Sequence, residues 1–167
     1  MRKINVLASL GLLTVALAAP AEHAEIALRL ARLDPATGQT MGEIVAAADE
    51  EPPAGGVKAR PQFRAKPGEP LQVQFFFTNT YPHDVLKDVR IRYFVARIDK
   101  VGQKTLPDLE KGTVVQGQFQ TNFKPKSRVG ARAAFTVHEP GVYLLRVDSA
   151  NTKSDHEHIA GIDLIIE

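Results

Sequence analysis

Asp155-His156-Glu157-His158 is the densest run of metal-competent side chains in the sequence. On a strand, side chains two apart share a face. If a strand begins here, His156 and His158 point the same way and can share one metal ion. Cu(II), Ni(II) or Zn(II) suits imidazole ligands, and Asp155 or Glu157 would orient a ring from behind. Two ligands do not make a site, and the other histidines are His23, His83 and His138. The plain alternative is a polar loop before an edge strand, where Asp and His serve turns and hydrogen bonds. Clustered histidines, titrating near their ordinary pKa of about 6.5, would also make a pH-dependent contact.

Two further groups suit binding. Lys124-Pro125-Lys126-Ser127-Arg128, with Arg132 nearby, is a basic cluster beside Phe119 and Phe123. It could grip an anionic glycan or phosphate; the bland reading is a solvated turn. Tyr81-Pro82-His83 reads as an aromatic loop tip, and loops on a rigid scaffold often carry binding. Its bland reading is a hairpin turn with a packed tyrosine.

Other chemistries find little footing. Outside the first 21 residues the serines are Ser127, Ser149 and Ser154. None stands in a G-x-S-x-G elbow, and there is no cysteine nucleophile. Gly55-Gly56 lacks the Lys-Ser/Thr of a phosphate loop. Paired carboxylates of the glycosidase kind stay open, although Asp and Glu fall mostly where loops are expected. The expectation is a non-catalytic domain without a cofactor, with a Cu, Ni or Zn ion as the alternative and a hydrolase as a weaker one.

These residues hang on strands. Leu71, Val73, Phe75 and Phe77 alternate with Gln72, Gln74, Phe76 and Thr78, the pattern of a half-buried strand. Val89, Ile91, Tyr93 and Val95 share a face in the next, with Arg90 and Arg92 opposite. Thr113 to Phe119 is weaker, and Gly117 inside it suggests a bulge or tight bend. Ala131 to Val137 and Val142 to Val147 follow. The last strand sets Ala160, Ile162, Leu164 and Ile166 on one face and Asp163 on the other. Turn signals separate them: Lys66-Pro67-Gly68-Glu69-Pro70 and Glu139-Pro140-Gly141. Short strands with such punctuation predict an all-β antiparallel sandwich. Residues 22–34 fit a strand or a helix and are read as a strand; residues 41–49 suit a short helix; residues 50–56 are a Pro/Gly linker.

The N-terminus carries Arg2 and Lys3, then an uncharged apolar run from Ile4 to Ala19, then Ala19-Pro20-Ala21. A positive start, an apolar stretch and an A-x-A-like site define a secretory signal peptide over 1–21. An uncleaved anchor is the alternative. Without cysteine there is neither a lipoprotein-type acylation site nor a disulfide framework. The formal charge of +2 vanishes once Arg2 and Lys3 leave, so no nucleic-acid partner is expected. The neutral chain is polarised: residues 58–132 carry 15 basic and 6 acidic residues, and both flanks are acidic. A basic patch of that kind suits an anionic polysaccharide or lipid head group; the bland reading is solvated segments that neutralise each other.

The stretches KPGEPLQVQFFFTNT, DVRIRYFVARI, EPGVYLLRVDS and IAGIDLIIE resemble bacterial extracytoplasmic immunoglobulin-like domains of the CARDB kind, over roughly residues 57–167. The resemblance implies an immunoglobulin-like sandwich following the 22–56 segment, with Tyr143 as the tyrosine of its corner. It implies a domain that adheres, spaces or presents loops to an extracytoplasmic protein or glycan, in the periplasm or outside the cell. The Cys and Trp hallmarks of antibody domains are missing. A second resemblance, carried by the PG-x-Y strand and the histidines, is to periplasmic nickel- or copper-handling sandwiches. It implies metal at His156 and His158, with His23 standing in for the N-terminal histidine of such proteins.

Overall fold

A computed structural model describes residues 24–48, 59–153 and 158–167. The predicted signal peptide, His23, the 50–56 linker and Asp155, His156 and Glu157 lie outside the described residues.

The described residues form nine strands and one helical turn, in order: β1 (Ala24–Leu33), β2 (Thr40–Ala48), β3 (Gln62–Ala65), β4 (Leu71–Asn79), β5 (Leu86–Ile98), α1 (Leu109–Gly112), β6 (Thr113–Phe123), β7 (Arg128–Phe135), β8 (Gly141–Ala150) and β9 (Ile159–Ile166). They form two sheets, ordered β2-β1-β4-β7 and β3-β9-β8-β5-β6. Pairing is antiparallel except between β3 and β9, which run parallel. The chain is an all-β sandwich, as the strand and turn pattern predicts.

The main core lies between the sheets. β4 contributes Leu71, Val73, Phe75 and Phe77, β1 contributes Ile26, Leu28 and Leu30, and β5 contributes Val89, Ile91 and Val95. β9 answers with Ala160, Ile162, Leu164 and Ile166. The alternation places each set inward because the side-chain period of a strand is two. Each fully buried large side chain contributes about 1.5–3 kcal/mol of transfer free energy.

Three local expectations change. Residues 41–49 do not make a helix: Thr40–Ala48 is strand β2, paired along β1. Propensity there is weak, and pairing with the hydrophobic β1 decides the outcome. The pairing register shifts between Ala31 and Arg32, near Gly42, whose φ of +71° suits a residue without a Cβ. β1 and β2 therefore bring residues 24–48 into the four-stranded sheet. Gly117 marks no bulge, since the register runs through Tyr93 and Gly117 unbroken. It is needed because the Tyr93 ring lies over it: a Cβ would stand 2.5 Å from that ring.

Tyr143 bonds back to its own turn. Tyr143 is buried, and its hydroxyl donates to the Glu139 carbonyl at 2.9 Å. Burial pushes its pKa above the ordinary tyrosine value; Arg97 pulls it down and Glu139 adds to the rise. This bond pins the 136–140 turn to β8.

Candidate functional site

β4 ends at Asn79, a fully buried amide with four partners. Its Nδ2 faces the carbonyls of Asp84 at 2.9 Å, Lys124 at 3.0 Å and Phe123 at 3.3 Å. Its Oδ1 accepts from the Tyr81 amide at 3.0 Å. Asn79 thus ties the β4–β5 connection to the β6–β7 turn, two segments more than forty positions apart in sequence. The Lys126 amide donates to the Tyr81 carbonyl at 3.2 Å and completes the join. Buried amides are retained when every group finds a partner.

The consequence is a convergence. Tyr81, His83, Lys124, Lys126 and Arg128 come from separate stretches yet stand at one end of the sandwich. Tyr81 is half-buried against the core. Desolvation raises its hydroxyl pKa, and Asp84 adds to the rise. His83, Lys124, Lys126 and Arg128 are exposed. Lys126 sits at φ +53°, in the left-handed region, as the turn demands. Among the described residues no carboxylate pairs with Lys124, Lys126 or Arg128.

His158 belongs to the same end but not to its surface. It is buried, just ahead of β9, and its carbonyl accepts from the Ser149 amide at 3.1 Å. The β8–β9 register carried back one step sets it opposite Ser149, beside the inward-facing pair Val147 and Ala160. Neighbouring contacts hold the loop: Lys153 approaches Asp84 at 3.8 Å, and the Asn151 amide donates to the Asp88 carbonyl. His83 and His138 are both exposed, on opposite ends of the sandwich. Among the described residues no three His, Cys, Asp or Glu side chains converge as metal ligands. The His156–His158 pairing and Asp155 lie half outside the described residues.

Three features escape the sequence reading. At the other end, a shallow cleft of about 740 Å³ lies between the 99–112 connection and β8, lined by Arg97, Leu106, Lys111 and Val142 among others. On the outer face of the five-stranded sheet, fully buried Asp163 accepts from Arg60 Nε at 2.7 Å and from the Gly102 amide at 2.6 Å. This pair anchors the connection that covers a second small core of Phe94, Ala96, Ile98 and Leu144. On the outer face of the four-stranded sheet, Phe76 carries the guanidinium of Arg128, 4.2 Å from its ring centroid, and lies 6.0 Å from that of Arg29. The signal for Phe76 was in the alternation: it is the one aromatic among polar outward positions of β4.

No family model and no curated protein matches the sequence. Solved structures to which the chain is similar include the following two. One is a family 123 glycoside hydrolase from Clostridium perfringens, 10% identical, with a TM-score of 0.43 over 65% of this chain; the chain spans 23% of that enzyme's length. The other is the soluble domain of PmoD from a Methylocystis species, 12% identical, with a TM-score of 0.44, covering 85% of this chain and 90% of that one.

Proposed function

We propose that the protein is an exported, non-catalytic sandwich of the bacterial immunoglobulin-like kind that binds an anionic extracytoplasmic component through the end bearing Tyr81, His83, Lys124, Lys126 and Arg128. The buried Asn79 clamp carries this reading, because it fixes two polar loops side by side at one end of the sandwich. A rigid scaffold presenting fixed loops is the usual setting for recognition. Among the described residues no carboxylate answers the charges of the lysines, which suits a partner with acidic groups. Export follows from the 1–21 signal pattern. The Tyr143–Glu139 bond supports the immunoglobulin-like kinship.

Co-sedimentation of the secreted protein with cell-envelope material from the cells that export it tests the reading. Binding should be saturable and should fall steeply between about 50 mM and 500 mM salt, as screened contacts do. Lys124→Glu with Lys126→Glu should abolish it. Equal binding by the wild type and this charge-reversed variant, or no binding by either, sinks the proposal.

A further inference from the structure

The outer face of the four-stranded sheet carries exposed arginines grouped around one aromatic ring. Cross-strand register places Arg29, Gln74 and Arg132 in one row and Ala27, Phe76 and Gly130 in the next. One row further, Thr78 stands between Glu25 and Arg128, so the face also carries one exposed carboxylate. The Phe76 ring lies flat across Gly130, where a Cβ would stand 2.7 Å from it. Glycine here lets the ring spread over β7 instead of standing off the sheet. Arg128 stacks on that ring, and Arg29 stands close to it.

Stacking matters for what the arginines can do. A guanidinium laid on an aromatic face is held in place while its edge N–H donors stay available. Those donors match an oxyanion in two-point geometry. Arg29, Arg128 and Arg132 are exposed, and among the described residues none of them pairs with a carboxylate. Arg29 and Arg132 are two strand spacings apart, roughly 10 Å. Arg128 and Arg132 are four residues apart on β7, roughly 13 Å. Between them lie the Gln74 amide, the Phe76 ring and Gly130. A point ligand would need the three cations gathered around it. A spread array suits a polymer with repeated negative charges.

We infer that this face binds an acidic polysaccharide, with Arg29, Arg128 and Arg132 taking its carboxylate or sulfate groups and Gln74 its hydroxyls. The inference rests on the proposed function and extends it: Arg128 joins the β6–β7 turn to the face, so the polymer runs from the loop end onto the sheet. A membrane surface fits less well. Of the large exposed apolar side chains, Met41 and Ile44 belong to the edge strand β2, and Val129, between Arg128 and Arg132 in sequence, pairs with inward-facing Phe77 and so turns away from the arginines.

Fluorescence titration of the secreted protein with labelled oligogalacturonate and heparin hexasaccharides, beside phosphatidylglycerol vesicles, decides the matter. Saturable binding of at least one oligosaccharide is expected. Arg29→Gln with Arg132→Gln should weaken it about tenfold or more, since each lost charge-assisted contact is worth roughly a factor of ten. Phe76→Leu, which keeps the apolar volume and removes the aromatic face, should weaken it several-fold. A thermal midpoint no lower than the wild type's in the exposed arginine variant shows that the fold is kept. If Lys124→Glu with Lys126→Glu destroys oligosaccharide binding while the arginine pair is dispensable, contact is confined to the loop end: the proposed function stands and this inference falls. Binding of vesicles without oligosaccharides has the same meaning. Binding of no probe overturns both.

Discussion

The two outer faces of the sandwich handle charge in opposite ways. On the five-stranded sheet, Asp163 is enclosed by Arg60 and the Gly102 amide. Asp148 takes both arms of Arg92 and the Nε of Arg146. On the four-stranded sheet, Arg29 and Arg128 meet an aromatic ring and Arg132 meets no carboxylate among the described residues. The difference comes from what covers each face. The 99–112 connection folds over the five-stranded sheet and buries a second apolar cluster, so charge left beneath it must be paired. No described segment lies over the four-stranded sheet, so its charges stay solvated and impose no such demand. One face is spent on stability; the other is left for contact.

The sharpest way to break this contrast is to remove half of the buried pair. Arg60→Ala leaves Asp163 as an uncompensated charge beneath the 99–112 connection. It should cost about 3–5 kcal/mol in chemical denaturation. Arg60→Ala with Asp163→Asn should recover a large part of that loss, because the stranded charge is gone. A loss below about 1 kcal/mol for Arg60→Ala would mean that the covered face is no more committed to stability than the bare one.

Much of this contrast was hidden in the sequence, for physical reasons. Alternation in β9 correctly set Asp163 opposite Ile162 and Leu164. In a lone strand that position reads as solvated, and only the crossing of a segment some sixty residues away buries it. The uninterrupted apolar stretch near the end of β5 was a clue, since Phe94, Ala96 and Ile98 face outward beneath that segment. The loop-end residues were each legible as turns, but their convergence depends on strand order, which periodicity does not encode. β2 was misread because its short apolar side chains suit either period, and pairing with β1 settled it. Tyr143 was legible because its partner is four residues upstream.

That local bond gives an intermediate test, inside the core shared by both sheets. Tyr143→Phe keeps the ring and removes one donor, leaving the Glu139 carbonyl short of a partner. The cost at pH 7 should be about 1 kcal/mol. The native hydroxyl pKa is raised, mainly by burial, so the unfolded state loses its proton first as pH rises. The wild type therefore keeps this contribution below about pH 10 and loses it above. The phenylalanine variant has no such group, so its deficit should shrink as pH rises above about 10. A deficit that stays constant through that rise would show that the Tyr143 ring is placed by packing alone.

The smallest effect is expected on the bare face, and its smallness is the point. Arg29→Gln with Arg132→Gln removes two exposed cations that answer no carboxylate among the described residues. Surface changes of this kind stay within about 0.5 kcal/mol. The sign should favour the variant at low salt, because three like charges on one face repel and that repulsion is screened as salt rises. Thermal midpoints of the two proteins should therefore converge as ionic strength increases. A loss well above about 1 kcal/mol would mean that these arginines hold the sheet together, as Arg60 does opposite. The two faces would then differ in exposure but not in role.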